Sequence, residues 1–401
     1  MSDITTQERA PARAVSRASV ALAFFAFIMI GANDGAFGVL LPRLLAYYQV
    51  DNTTIGLLFF FSTIGYFIGT FNNGILMEKL GMRRFFIVGG ATMLLGMVIY
   101  SLRPPFLLAP VAALLAGLGV ALIDAGLNSY IASLPSNTAL LNYLHAFYGA
   151  GAWLGPFVAS TLLALNWGWN NIYMLWGGMC LLVIIGVATF FQALPPAHEE
   201  TTQSRGNNML AQALRLRVVW LGAAFLFFYV GAELVLGNWG FSFLTTERHG
   251  DELISGWVVS GYWLGLTLGR LVLGKVGQVI GNKRLIQGCL VGVAVGLLLV
   301  WWGPIQFVTY LGLWLTGFCL GPLFPTIIAL LSTLVSGRLL PTAIGFVVSL
   351  GSMGAALFPW LAGNLAQHSG LWVLMPFVIV QAALMMGLWL FLQRKPEKVE
   401  G

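Results

Sequence analysis

The chain has 401 residues, of which 58% are hydrophobic and 8% are charged, and its formal net charge at pH 7 is +6. A soluble domain carries about 25% charged residues, so this composition excludes a soluble globular protein and indicates an integral membrane protein. The positive charge does not indicate nucleic-acid binding, because no soluble face with basic and aromatic residues is predicted.

Twelve stretches are apolar and long enough to cross a bilayer, which takes about 20 residues per helix. We predict an all-α membrane protein whose 12 transmembrane helices form two pseudo-symmetric six-helix bundles. The predicted spans are 19–47, 52–78, 84–102, 106–134, 139–165, 171–194, 218–245, 254–277, 284–303, 306–335, 340–367 and 371–393. The predicted domains are an N-terminal tail (1–18), a first bundle (19–194), a polar linker (195–217), a second bundle (218–393) and a C-terminal tail (394–401).

The distribution of basic residues predicts the orientation of these spans. With both termini on one side, 16 of the 20 Lys and Arg residues fall on that side or in its loops. Basic residues concentrate in cytoplasmic loops, so we expect both tails and the linker to be cytoplasmic, in a plasma or bacterial inner membrane. The first apolar run holds Asp34 and lacks a small-residue cleavage site after it, so we expect a retained first helix rather than a signal peptide.

The two halves of the chain repeat each other, with an offset of 200 residues between Gly31 and Gly231. Other matched positions are Gly81 and Gly281, Arg84 and Arg284, Gly96 and Gly296, Gly117 and Gly317, and, at slightly different offsets, Gly65-Tyr66 and Gly261-Tyr262. A long internal repeat in so apolar a chain is typical of alternating-access carriers, whose site lies between the two halves. No large soluble domain and no filter-like polar ring are predicted, which argues against a receptor or a channel.

The loop between the second and third spans carries a recognisable motif, Gly74-Ile75-Leu76-Met77-Glu78-Lys79-Leu80-Gly81-Met82-Arg83-Arg84. It resembles the signature loop of the major facilitator superfamily, and with twelve spans, a repeat and a central linker the resemblance covers nearly the whole chain. The resemblance implies a gating role, between the bundles on the cytoplasmic side, for Gly74, Glu78, Gly81, Arg83 and Arg84. The alternative is that Arg83 and Arg84 serve orientation only.

Two stretches resemble the fourth, fifth and tenth helices of the fucose–galactose-type sugar:proton symporters. They are Asp124-Ala125-Gly126-Leu127-Asn128 with Leu141 to Ala152, and Gly317 to Pro325. Residues 231–240 and 261–274 also resemble related fungal and animal sugar-transporter-like proteins. The chain departs from the bacterial pattern at Asp124, His145 and Tyr148, where Glu, Gln and Asn are usual. Asp124 is still an acid, like the coupling residue of the family that it resembles. His145 and Tyr148 differ from the residues that contact the sugar in that family.

Three acids fall at membrane depth, where an ionised side chain costs about 2.5–3.5 kcal/mol. Asp34 lies about 25 Å along the helix from Arg17, and Glu233 lies at nearly the same distance from Arg217, so the repeat places the two at matching depth. Asp124 is also near mid-membrane. A carboxylate whose hydration alternates binds a proton on one side and releases it on the other, so we predict proton coupling by these three residues. Alternatives are that Asp34 binds backbone amides and that Glu233 pairs across the bundle.

Polar and aromatic side chains near these acids are the predicted substrate-binding residues. They are Asn33, Asn128, Asn142, His145, Tyr148, Asn238, Trp239, Tyr262 and Trp263. His145 is equally consistent with a satisfied core residue, and the aromatic side chains with packing. Arg270 is the one basic residue within a predicted span, near the inner end of the eighth helix. It is predicted to be structural or gating by snorkelling, with an anion clamp as the alternative.

The predicted function is secondary active transport, as proton-coupled symport of a sugar or sugar-like compound. The alternative is a proton-coupled drug or metabolite efflux antiporter, because Gly151 to Pro156 partly resembles the fifth-helix motif of drug:proton antiporters. An enzyme is not expected, since no phosphate-binding, metal-site or nucleophile motif is present. We expect no cofactor and no metal, and as partners a small-molecule substrate, protons and the lipid bilayer, with the chain acting as a monomer.

Overall fold

The computed structural model of the protein describes residues 16–134, 137–191 and 206–393. Within this part of the chain, twelve long helical segments follow one another with short connections. They are α1 (Arg17–Tyr48), α2 (Asn52–Leu80), α3 (Met82–Ser101), α4 (Phe106–Ala132), α5 (Asn137–Ala164), α6 (Trp169–Phe190), α7 (Arg217–Glu247), α8 (Glu252–Ile280), α9 (Asn282–Trp302), α10 (Gln306–Leu334), α11 (Leu340–Ser369) and α12 (Leu371–Gln393). The predicted all-α class is confirmed, and the number of segments agrees with the predicted number of spans.

Eleven of these described segments are long and apolar enough to cross a membrane. The twelfth, α8, is long enough at 29 residues, but Ser, Tyr and Trp side chains and Arg270 make it less apolar. Three predicted regions lie largely outside the described residues. They are the two tails, of which residues 1–15 and 394–401 are not described, and the first part of the linker. The structure describes linker residues 206–217, which include a short helix at Gly206–Ala213.

The helices pack into two groups that correspond to the two halves of the sequence. In the first group, α1 packs on α5, α2 on α4, and α3 on α4 and α6; in the second, α7 packs on α11, α8 on α10, and α9 on α10 and α12. Glycines make the closest of these contacts possible. A Cβ on Gly151 would meet the backbone carbonyl of Ile28, and one on Gly31 would meet that of Tyr148, so α1 and α5 touch backbone to backbone.

The same local signals begin and end equivalent helices in both halves. Gly81 (φ 70°) ends α2 and Gly281 (φ 86°) ends α8 in a left-handed conformation that favours glycine. Asp51 caps α2 and Asp251 caps α8, each accepting a hydrogen bond, of 2.7 and 2.9 Å, from the amide three residues later. The hydrogen bonds from Thr54 lower the pKa of Asp51. The sequence repeat therefore corresponds to a repeated set of helix boundaries.

Among the described residues, the contacts between the two bundles lie at mid-membrane and towards one side of the membrane. We call the side where α1 begins and α12 ends the termini face, and the other side the far face. At the far face, Arg43 on α1 forms an ion pair of 2.6 Å with Glu252 on α8, and the Asn52 amide donates to Gln367 at 3.0 Å. Further contacts between bundles join Asn364 to Thr53, Trp257 to Thr161 and Ser260 to Trp153.

Three glycines near the termini face have open space beside them. A Cβ placed on Gly74 of α2, Gly274 of α8 or Gly345 of α11 would meet no other segment within 4 Å. These three glycines all lie on the termini side of their helices. The polar contacts between the bundles given above lie away from these glycines, in the half of the molecule nearer the far face.

Candidate functional site

A cavity of about 420 Å³ lies between the two bundles. Aromatic and aliphatic side chains make most of its wall, as is usual for small-molecule sites. Its polar lining side chains are Asn33, Asp34, Ser62, Thr63, Tyr66, Tyr100, Asp124, His145, Tyr148, Tyr173, Asn238, Arg270 and Ser352. Most of these come from the first bundle, so the polar chemistry of the cavity is asymmetric although the scaffold is symmetric.

Asp34 lies on α1 against α5, with a neutral donor on each carboxylate oxygen. The Asn33 side-chain amide donates to Oδ1 at 3.2 Å, and the Tyr148 hydroxyl donates to Oδ2 at 3.1 Å. These contacts are possible because α1 and α5 approach closely at their glycines. Asp34 therefore has polar partners, but none of them carries a positive charge.

Asp124 on α4 has the same arrangement with different helices. The Asn128 amide donates to Oδ1 at 2.9 Å, and the Tyr66 hydroxyl from α2 donates to Oδ2 at 2.8 Å. His145 lines the same cavity and acts electrostatically on Asp124. Each acid of the first bundle is thus held by one asparagine and one tyrosine, which leaves lone pairs for a proton or a substrate hydroxyl.

The third acid, Glu233 on α7, is different because it faces a cation. Arg270 on α8 lies 3.7 Å from Glu233 and donates through Nε to the carbonyl of Gly321 at 3.1 Å. Arg270 also lines the cavity, so the structure places it beside Glu233 rather than at the membrane surface, where snorkelling would put it. The anion-clamp alternative for Arg270 is consistent with this position.

The other predicted substrate-binding residues fall into two groups. Asn33, Asn238, His145 and Tyr148 line the cavity. Asn128, Asn142, Trp239, Tyr262 and Trp263 are not among the residues that line it.

The aromatic side chains among these are buried in the second bundle, and Trp239 also lies beside Phe59 of α2. The Trp239 indole donates to the carbonyl of Pro359 at 2.9 Å, and the Tyr262 hydroxyl donates to the backbone carbonyl of Glu233 at 2.9 Å. Trp263 is also buried, next to Tyr262. In this conformation the three side chains support the cavity wall from behind, which agrees with the packing alternative.

The chief residue that the sequence interpretation missed is Tyr66. Tyr66 was visible in the sequence as one half of the Gly65-Tyr66 and Gly261-Tyr262 match, but only as evidence for the repeat. Gly65 packs against the backbone of Leu114 on α4, and this close approach brings the neighbouring tyrosine to Asp124. A tyrosine beside such a glycine in a repeated position was the available signal.

Comparison with known proteins identifies the family. The sequence profile of the Major Facilitator Superfamily matches residues 23–249 and 223–401. The chain belongs to this superfamily. It is therefore a secondary transporter, not an enzyme, and an integral membrane protein with multiple spans.

Curated relatives of this superfamily member span most of its length. Bypass of stop codon protein 6 of Saccharomyces cerevisiae is 25% identical over 387 residues, covering 86% of this chain and 76% of the yeast protein. The glucose/mannose transporter GlcP of Bacillus subtilis is 21% identical over 379 residues, covering 92% and 93%. A TsgA homolog of Erwinia tasmaniensis is 24% identical over 367 residues, covering 87% and 88%.

Solved structures of the superfamily share the fold. A D-xylose–proton symporter has a TM-score of 0.73 and 16% identity, covering 92% of this chain and 96% of its own. The transporter FucP in an outward conformation has a TM-score of 0.64 and 18% identity, covering 94% and 99%. A bacterial homolog of the lysosomal transporter Spinster, inward-facing and unoccupied, has a TM-score of 0.78 and 13% identity, covering 95% and 98%.

The signature loop of this superfamily member connects α2 to α3 at the termini face. Gly81 supplies the left-handed turn that the loop needs. In the described residues, the ion pairs are Arg43 with Glu252 and Arg270 with Glu233, so the predicted gating residues Glu78, Arg83 and Arg84 have no ionic partner.

Proposed function

We propose that this transporter is a proton-coupled symporter of a neutral sugar or sugar-like compound. The observation that carries the proposal is the pair of cavity acids, Asp34 and Asp124, each held by neutral donors and neither paired with a cation. Such an acid binds a proton when the cavity is hydrated from one side and loses it when rehydrated from the other. The other predicted coupling acid, Glu233, already has Arg270 as an ionic partner.

Three features support the sugar part of the proposal. The cavity combines carboxylates, amides and hydroxyls with aromatic rings, and these are the groups that bind sugar hydroxyls and the apolar face of a sugar ring. GlcP is named as a glucose/mannose transporter, and two structural neighbours are named as D-xylose and fucose symporters. The cavity volume of about 420 Å³ lies within the roughly 300–1,000 Å³ of small-molecule sites.

We also propose an orientation and a conformational state. The excess of basic residues places the termini face in the cytoplasm of a cell whose plasma or inner membrane holds the protein. The structure then corresponds to an inward-open state, closed outside by contacts such as Arg43 with Glu252. The two bundles, residues 19–194 and 218–393, would rock about the cavity, with one chain as the working unit.

The test is transport by purified protein in proteoliposomes with an imposed pH gradient. Radiolabelled D-glucose, D-mannose, D-xylose and L-fucose are supplied in turn, with and without a protonophore. We expect at least one sugar to accumulate only when the gradient is present. Solute-independent proton flux, or sugar flux that ignores the gradient, would contradict symport, and sugar movement against the direction of proton flow would favour the antiporter alternative.

The coupling assignment is tested with the matched variants Asp34→Asn, Asp124→Asn and Glu233→Gln. Asn has nearly the shape of a protonated Asp, so exchange of sugar across the membrane is expected to continue. With a pH gradient of one unit, we expect Asp34→Asn or Asp124→Asn to lower accumulation by roughly tenfold, the equivalent of one proton. Normal accumulation in all three variants would show that these acids do not couple.

A further inference from the structure

The charges around the cavity determine how many protons must enter before it can close on a neutral solute. Asp34 and Asp124 each carry one negative charge when ionised, and their hydrogen-bond partners are neutral. Glu233 and Arg270 compensate each other at 3.7 Å. With all three acids ionised and His145 neutral, the groups in and beside the cavity therefore carry a net charge of two negative units.

Among the residues that the structure describes, no cation lies beside Asp34 or Asp124 that could replace a proton. Tyr148 and the other acid act on Asp34, and Tyr66 and His145 act on Asp124. The remaining charged cavity group is Arg270, which faces Glu233 across from the first bundle. Protonation of His145 would compensate Asp124, but this also requires one proton. Each uncompensated acid thus needs one proton, whichever group of its neighbourhood holds it.

Closing the cavity removes water from around the two acids, so an acid that has not taken up its proton adds a free-energy cost to closure. An unpaired ion that leaves water costs several kcal/mol, and a neutral sugar has no charge to offset that cost. Closure around a sugar with one acid still ionised would retain the penalty for that acid. The structure offers no second guanidinium or ammonium among the described cavity residues to reduce it.

Resting on the proposed function, we infer that each transport cycle carries two protons with one neutral solute, one on Asp34 and one on Asp124. Each cycle would then move two positive charges across the membrane. Both protons enter before the cavity closes and leave when it opens on the other side. Glu233 takes no part in the count because the charge of Arg270, 3.7 Å away, compensates its own.

The stoichiometry is measured from the sugar gradient at which net flux stops. Proteoliposomes are held at zero membrane potential with valinomycin and equal potassium, and a pH gradient of one unit is imposed. D-glucose is the first probe, followed by D-mannose, D-xylose and L-fucose. Each coupled proton balances roughly a tenfold sugar ratio, so two protons give about a hundredfold ratio. A ratio of about tenfold would overturn the two-proton inference and leave the proposed symport intact; equal concentrations for every sugar would overturn the proposed symport.

Single variants locate the two protons. Asp34→Asn and Asp124→Asn are each expected to reduce the balancing ratio to about tenfold. Asp51→Asn is the matched control, because Asp51 lies outside the cavity and Asn is an equally good helix cap; its ratio should stay about a hundredfold. An unchanged ratio in either cavity variant would overturn the inference.

A second measurement does not depend on transport or on the sugar chosen. Infrared difference spectra of the protein in lipid nanodiscs, taken between acidic and alkaline pH, report protonated carboxylic acids. We expect two buried carboxylic-acid signals, one missing in Asp34→Asn and the other missing in Asp124→Asn, with both kept in Asp51→Asn. A single signal, or one that survives in both cavity variants, would contradict the inference.

Discussion

Tyrosine hydroxyls hold both unpaired acids of the cavity, and each comes from a different helix than its acid. Tyr66 on α2 donates to Asp124 at 2.8 Å, and Tyr148 on α5 donates to Asp34 at 3.1 Å. A hydrogen bond to an ionised carboxylate favours the ionised form. The tyrosines therefore set how readily each acid releases its proton, in addition to orienting it.

Removal of the Tyr66 hydroxyl should make Asp124 hold its proton to higher pH. A hydrogen bond to a charged group contributes about 1.5–3 kcal/mol, and one pH unit corresponds to about 1.4 kcal/mol. In Tyr66→Phe we expect the pH profile of proton-driven sugar uptake to shift upward by about one to two units. Uptake rates measured across a pH series check this, and Tyr143→Phe, an exposed position outside the cavity lining, should leave the profile unchanged. A shift to lower pH, or a uniform loss of rate without a shift, would contradict the role given to Tyr66.

At the scale of the helices, contacts between glycine and backbone position the acids. Gly151 on α5 faces the carbonyl of Ile28 on α1, so even one methyl group must push the helices apart. Overpacking costs typically about 1–3 kcal/mol, more than the roughly 1 kcal/mol by which Ala favours a helix over Gly. We expect Gly151→Ala to lower the unfolding temperature in detergent and to weaken coupling through Asp34.

Gly288 on α9 provides the matched control for this prediction. It is also within a helix, but a Cβ there would meet nothing within 4 Å. Gly288→Ala should therefore keep or raise the unfolding temperature, because only the helix propensity changes. Thermal unfolding followed by intrinsic fluorescence distinguishes the two variants, and equal behaviour would show that the α1–α5 contact is not tight.

The helices themselves could be predicted from the sequence, because hydrophobic length and the glycine and aspartate signals at their ends are local. Contacts between side chains could be predicted less well. Asp34 and Asp124 were identified from the cost of a charge in the membrane, but the link from Tyr66 to Asp124 spans 58 residues and depends on how α2 is rotated. The rotations of α7 and α8 likewise decided that Trp239 and Trp263 face the core, while Arg270 faces the cavity.

At the scale of the whole molecule, the far face is closed by close helix packing between the bundles, such as Gly38 on α1 against the backbone of Gly237 on α7, and by polar contacts. The ion pair of Arg43 with Glu252 is short at 2.6 Å, but its side chains are 46% and 62% exposed. Exposed pairs contribute about 0.2–1 kcal/mol, so this one biases the equilibrium between inward-open and outward-open states without fixing it. A weak ion pair at this position suits a carrier, because both states must be reached in every cycle.

Removal of the charge of Glu252 should therefore shift the resting population towards the outward-open state. In Glu252→Gln we expect the outward-open fraction to rise by up to about fivefold, the equivalent of 1 kcal/mol. Spin labels on Leu107→Cys and Ile305→Cys, exposed positions near the far-face ends of α4 and α10, report the distance between the bundles. The longer-distance population should grow in Glu252→Gln, and it should also grow in the unaltered chain at high salt, because salt screens the ion pair. The control is Asp251→Asn, which removes the neighbouring charge but keeps the helix cap, so its distance distribution should match that of the unaltered chain. An equal change in both variants would mean that net charge at the far face, rather than the ion pair, sets the equilibrium.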